Sequence, residues 1–160
     1  MSKVYMAGRV SKRHILQVWA DDLEAKGFEV VSRWSMRNSD HVAPGMKSEK
    51  AAPSERVRFA REDLEDIDAC DIMVCLMEEP RNDSRGGRHV EFGYALARDK
   101  AIYIVGEKET VFHELPQVAA FTTWELCLNA LTLHADSCFN CNLRDCDQCR
   151  SEQLADAASY

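Results

Sequence analysis

A chain of 160 residues, 46% of them hydrophobic but without a long apolar run, predicts one globular domain and no membrane span. Its net charge of -7 argues against a partner such as polymeric nucleic acid, which needs a basic face, yet allows a small anion held by a few local arginines. Met1 to Ala7 runs straight into a strand pattern without the apolar core of a signal peptide, so a cytoplasmic location is expected, with Cys70, Cys75 and Cys127 as reduced core residues.

In chain order, Lys3 to Ala7 reads as a strand that ends at Gly8. Ser11 to Lys26 places Ile15, Leu16, Trp19, Ala20 and Leu23 at helical spacing, with Ser11 as the N-cap and Gly27 as the stop. Phe28 to Val31 is a second strand. Arg33 to Pro53 is polar and aperiodic around the Pro44-Gly45 turn, and a connection of that length suits a lid or substrate-binding loop. Helical spacing returns from Ser54 to Ala69 through Val57, Ala60, Leu64 and Ile67. Asp71 to Met77 is continuously apolar, the pattern of a strand covered on both faces. A glycine-pair loop and a helix ending near Lys100 follow. A strand from Ala101 to Val105, a short strand from Val118 to Phe121 and a helix from about Thr123 to Leu133 complete the series. This alternation implies an α/β fold over residues 1–134, a doubly wound parallel sheet of the Rossmann-like or flavodoxin-like kind. Residues 135–160 form a Cys-rich tail.

The stretch Gly86-Gly87-Arg88-His89-Val90-Glu91-Phe92-Gly93-Tyr94-Ala95 carries the strongest chemical signal. A glycine pair permits a sharp turn and close approach of a ligand, and the helix that follows points its first amides into the loop, a seat for phosphate. Glu91 is expected in the first helical turn, where it either complements the helix dipole or performs chemistry. Ligands of a doubly wound sheet lie beyond the carboxyl ends of its strands. Tyr5 to Arg9, Met77 to Gly87 and the Glu91 helix therefore meet at one crevice, to which the preceding helix adds Asp63 or Asp66 from an exposed face. Paired carboxylates there suit glycosidic chemistry, one acting at the anomeric carbon and the other managing a proton. Tyr5 stays open between core aromatic and site residue, and Asp63 between solvated acid and site acid.

Three stretches together resemble the nucleoside 2-deoxyribosyltransferase superfamily, which includes the 2'-deoxynucleoside 5'-monophosphate N-glycosidases. They are Val4-Tyr5-Met6-Ala7-Gly8; Glu62-Asp63-Leu64-Glu65-Asp66-Ile67 with Ala69-Cys70-Asp71-Ile72-Met73-Val74; and the glycine loop through Val90-Glu91-Phe92-Gly93-Tyr94-Ala95. The match runs from about Lys3 to Gly106. It implies an enzyme that cleaves the N-glycosidic bond of a small deoxynucleotide or deoxynucleoside. Glu91 would be the nucleophile and form a covalent deoxyribosyl intermediate, Asp63 would contact the base and move the proton, and Tyr5 would orient Glu91. Gly8, Gly86 and Gly87 would border the substrate. The resemblance implies no cofactor for catalysis and a homo-oligomer, dimer or larger, in which a neighbouring subunit completes the site.

The loop departs from the family pattern. Where relatives hold an aspartate or serine for the sugar or the 5' group, this chain has Asp83-Ser84-Arg85-Gly86-Gly87-Arg88, and the spacing to Glu91 admits Asp83 or Ser84. Arg85 and Arg88 suit a 5'-phosphate through charge-assisted hydrogen bonds, or stand as solvent-facing charges. The monophosphate is favoured over the free nucleoside. Two other classes remain: a nucleotide-sensing domain without catalysis, and a phosphoribohydrolase with a Pro-Gly-Gly-x-Gly-Thr-type loop. Against the latter, no proline precedes Gly86, and Gly87 lies too close to Glu91.

The tail is a separate signal. Cys138, Cys141, Cys146 and Cys149 form two Cys-x-x-Cys pairs, enough thiolates for one closed, structural zinc site. The intervening linker is short for a zinc ribbon, so an iron–sulfur cluster, free thiols or disulfides stay open.

Overall fold

The computed structural model describes residues 1–41, 51–77 and 86–137, with side chains through Leu133. Within them β1 (Lys3–Ala7), β2 (Glu29–Val30), β3 (Ile72–Leu76), β4 (Ala101–Val105) and β5 (Val118–Phe121) form one parallel sheet in the order β2-β1-β3-β4-β5. The helices are α1 (Arg13–Ala25), α2 (Pro53–Ala69), α3 (Gly87–Ala97) and α4 (Trp124–Ser137). This is the expected doubly wound sheet, in its flavodoxin-like strand order. The chain reverses its direction of growth between β1 and β3, which pair from Val4↔Ile72 to Ala7↔Cys75.

The continuous apolar runs of the central strands are explained by cover on both faces. α1 and α4 share one face, where Trp19 stacks on Trp124 with ring centroids 4.4 Å apart and Trp124 Nε1 donates to Asp22 Oδ2 at 2.8 Å. α2 and α3 share the other, tied by the Tyr94 hydroxyl donating to Asp68 at 3.0 Å. Val4, Met6, Met73, Val74 and Ile104 are fully buried between these layers. Each such side chain contributes roughly 1.5–3 kcal/mol through burial. Cys70, Cys75 and Cys127 are buried and free, as expected, and burial pushes the Cys70 thiol up to about 11 and that of Cys127 to about 12.

Local departures have local causes. Ser11 does not cap the first helix: it lies in a 3-10 turn, Val10–Lys12, and α1 begins at Arg13 with no side-chain cap. α1 ends as expected at Gly27, whose N–H donates to Glu24 O while the Phe28 N–H reaches Leu23 O, both at 3.0 Å. β2 is only two residues long, so the Met6 carbonyl on that edge of β1 has no strand partner. The buried Trp34 supplies one, its Nε1 donating at 2.9 Å. Trp34 belongs to a second 3-10 turn, Arg33–Ser35, so the segment expected as a lid begins as a packed turn. Residues 42–50 lie outside the described residues. α2 starts one residue before the expected Ser54, with Pro53 at its first position and the Glu55 carboxylate accepting from the Ala52 N–H at 3.0 Å.

Candidate active site

Brought to the switch point are Tyr5 from the middle of β1, Asp63 from α2 and Glu91 from α3. Gly86 precedes α3 with φ +83, a left-handed backbone that favours glycine, and Gly87 opens the helix with open space where a Cβ would stand. Because the helix opens there, Glu91 lies in its second turn and not in the first, as the sequence pattern suggested. Dipole complementation fades beyond the first turn, so it does not explain a carboxylate at this place.

Burial isolates these three side chains. Tyr5 is fully buried, and Glu91 and Asp63 are half-buried as residues. Yet Tyr5 Oη, Asp63 Oδ1 and Glu91 Oε2 are each shut off from solvent with no well-formed hydrogen bond among the described residues. An unsatisfied buried polar atom costs about 1–3 kcal/mol, so several in one place mark a site shaped for something other than stability. Burial, and next the Asp63 charge, raise the Glu91 carboxyl to about 8, against the pull of the Tyr5 hydroxyl and the Arg88 charge. Burial, with the charges of Asp66 and Glu62, raises Asp63 to about 7. Burial and the same two acids, Glu91 before Asp63, hold the Tyr5 hydroxyl well above its ordinary range. Both carboxyls are thus pushed toward their protonated forms, and the Asp63 charge adds to the push on Glu91.

Of the two candidate acids on α2, Asp66 is structural. It is buried and not on an exposed face: Oδ2 accepts the Arg33 N–H at 2.8 Å and Oδ1 accepts Arg33 Nε at 2.7 Å. Asp63 Oδ1, by contrast, is buried without a hydrogen-bond partner among the described residues. Beside it stands His41, which no sequence pattern singled out. His41 is buried, its Nε2 makes a short hydrogen bond to Glu62 Oε2, and its Nδ1 lies 3.7 Å from Asp63 Oδ1. A cavity of about 280 Å³ lined by Arg33, Met36, Asn38, His41, Arg58 and Glu62 borders this side of the acid pair, next to Asp63 and not over Glu91.

Arg88, expected to face a phosphate or solvent, is buried and ion-paired with Glu109 in the loop after β4. Gly8 is packed against α1, where a Cβ would come within 2.9 Å of Leu16 Cδ1. Asp83, Ser84 and Arg85 lie outside the described residues, as do Cys138, Cys141, Cys146 and Cys149. Among the described residues no cluster of three or more His, Cys, Asp or Glu side chains could hold a metal ion. None of their helices is long and apolar enough to cross a membrane.

The doubly wound α/β sheet thus brings a buried pair of acids to its switch point. The chain belongs to the nucleoside 2-deoxyribosyltransferase family, whose model matches residues 4–150. It is therefore an enzyme of the nucleoside 2-deoxyribosyltransferase kind, acting in nucleotide metabolism. Two solved structures share the fold. The CMP N-glycosidase of Clostridium botulinum is 19% identical with a TM-score of 0.53, over 82% of this chain and 98% of its own. A 2-deoxyribosyltransferase from Bacillus psychrosaccharolyticus is 20% identical with a TM-score of 0.61, over 80% of this chain and 91% of its own. No match was found among curated protein sequences.

Proposed function

We propose that this enzyme cleaves the N-glycosidic bond of 2'-deoxynucleoside 5'-monophosphates, in preference to 2'-deoxynucleosides, and passes the sugar to water or to a second base. The observation that carries this reading is the pair Glu91 and Asp63 beside the Tyr5 hydroxyl, each with a buried, unsatisfied polar atom. A Glu91 carboxylate oxygen bonds to C1' as the C1'–N bond breaks, and the electrons of that bond go to the base, which takes the proton of Asp63. Water or an acceptor base then attacks C1' of the deoxyribosyl–Glu91 ester, releases the carboxylate and returns a proton to Asp63. Burial raises both carboxyls above their ordinary values. Positive charge developing at C1' favours the Glu91 carboxylate and leaves the proton on Asp63, where the departing base needs it.

Support for the phosphate comes from the open start of α3 at Gly86 and Gly87, from Arg85 next to it in sequence, and from the structural neighbour named for a nucleotide. With Arg88 turned to Glu109, Arg85 would meet the phosphate, with Asp83 or Ser84 near the sugar. The four tail cysteines would hold a structural zinc ion outside the reaction, in a cytoplasmic homo-oligomer whose neighbouring subunit completes the site.

The test is a chromatographic screen of deoxynucleosides, their 5'-monophosphates and CMP, with and without an acceptor base, combined with mass spectrometry of rapidly quenched protein. Free base should appear fastest from a deoxynucleoside monophosphate, and a deoxyribosyl 5-phosphate adduct should map to Glu91. No base release from any substrate would turn the reading to a nucleotide-sensing domain. Release from the ribonucleotide alone would turn it to a phosphoribohydrolase.

A further inference from the structure

Arg88 and Glu109 take no part in the bond changes above, yet they form a deeply buried ion pair, with 2% and 11% of their side chains exposed. Desolvating two such charges offsets most of their attraction, so the pair calls for a role beyond stability. Arg88 stands three residues before Glu91 on α3, and its charge favours the Glu91 carboxylate. Glu109 is anchored independently of Arg88. The Glu109 N–H donates to His113 Nδ1 at 3.0 Å, and the fully buried His113 packs edge-on against Phe92 of α3, with ring centroids 4.9 Å apart. The second carboxylate oxygen of Glu109 lies 3.2 Å from His89 Nε2. The loop leaves β4 through Gly106, whose φ of +114 and 2.6 Å clearance from its Cβ position to Met77 O admit no side chain. A fixed loop thus presents a fixed carboxylate to the guanidinium.

We propose that Glu109 is a positioning residue, which acts on Glu91 by gripping Arg88. This rests on the reading of Glu91 as the nucleophile. Among the described residues, the groups that face Glu91 are Asp63 from α2, Tyr5 from β1, the Cys75 thiol from β3 and Arg88 from its own helix. Around Glu109 stand Arg88, His89 and His113; His113 also feels Glu114, which pairs with Lys108 at 2.6 Å. Arg88 belongs to both sets and is the cation that links them. Neutralising Glu109 removes a counter-charge from the guanidinium, whose pull on Glu91 then strengthens, so that Glu91 ionises at lower pH. Removing Arg88 has the opposite effect.

The experiment is the pH profile of kcat/KM for base release in the full-length protein and in Glu109→Gln, Arg88→Met and the double variant, with thermal melts in parallel. Glu109→Gln keeps an oxygen for the guanidinium but drops the charge. Its acidic limb, set by ionisation of Glu91, should fall by about one unit, the low end of what a nearby opposite charge achieves. Arg88→Met should raise that limb, and the double variant should match Arg88→Met because Glu109 acts through the arginine. The double variant removes both buried charges and so remains informative if Glu109→Gln does not fold; its limb above that of the unmodified protein supports the proposal. A clamp that is only structural lowers the melting temperature and leaves the limb in place. An unmoved limb in Glu109→Gln, or in the double variant, overturns the proposal while leaving the nucleophile intact. Normal turnover in Glu91→Gln would instead overturn the nucleophile, and the proposal with it.

Discussion

Three polar atoms, Tyr5 Oη, Asp63 Oδ1 and Glu91 Oε2, sit buried without well-formed hydrogen bonds among the described residues, and the proposed chemistry concentrates on them. Their cost has a measurable sign. Glu91 has an ordinary value of 4.5 and is raised to about 8 in the folded protein. Between those pH values the native state holds a proton that the unfolded chain has released, so stability falls as pH rises through that window. Glu91→Gln removes this penalty. It should abolish base release and still melt higher than the unmodified protein at alkaline pH, by at least about 1 kcal/mol, or 2–4 °C for a domain of this size. The gain should shrink toward pH 5, and a variant equally stable or less stable at both pH values would contradict the burial of this carboxylate. Asp63, raised to about 7, is poised as the acid for a leaving base. Asp63→Asn should slow release on the order of 10²-fold for bases that leave poorly, and much less for those that leave well. A series of substituted bases measures the difference; a uniform small effect would return Asp63 to the role of a solvated helix acid.

The elements around the site divide between holding and reacting. Asp63 and Asp66 are three residues apart on α2, so helical spacing puts both on one side and does not choose between them. The 3-10 turn after β2 makes the choice: Arg33 takes both oxygens of Asp66 and also donates from Nη2 to the Glu62 carbonyl at 2.9 Å. Arg33→Met should therefore take the guanidinium from Asp66 Oδ1 and leave the backbone N–H on Oδ2. Loss of one partner from a fully buried pair costs 3–5 kcal/mol; with the Arg33 side chain 47% exposed, about 1–2 kcal/mol is expected. Adding Asp66→Asn should restore most of it in urea unfolding. An equal loss in single and double variants would mean that the turn does not depend on this ion pair.

At the scale of the whole chain, the Cys-rich tail is proposed as a second unit. Its segment from Cys138 to Cys149 is rich in Asn, Asp, Arg and Gln and short of apolar residues, a composition that offers little apolar surface to bury. Metal binding can supply folding free energy to such a segment. Elemental analysis of protein purified without added metal should find about one zinc per chain, and chelation should open protease sites after Leu133 while base release persists unless the tail completes a neighbour's site. Metal-free protein with a protease-resistant tail would leave the cysteines as thiols or a redox pair.

The sequence by itself determined the layered architecture, because burial on two faces writes continuous apolar runs and burial on one writes helical spacing. β4 and β5 fall on the residues their patterns indicated, and the order of motifs from Lys3 to Gly106 pointed to the family that the match over residues 4–150 shows. Tyr5, Asp63 and Glu91 were legible as a set because doubly wound topology gathers strand ends at one crevice. The tertiary structure alone decided which aspartate is held, that Arg88 faces Glu109, that Glu91 lies a turn deeper in its helix, and that His41 stands beside Asp63. Those contacts join Arg33 to Asp66 across 33 residues, His41 to Glu62 across 21 and Arg88 to Glu109 across 21. Local spacing records which face a residue occupies. The charge it meets there is set by distant segments, whose approach depends on the packing of the whole sheet.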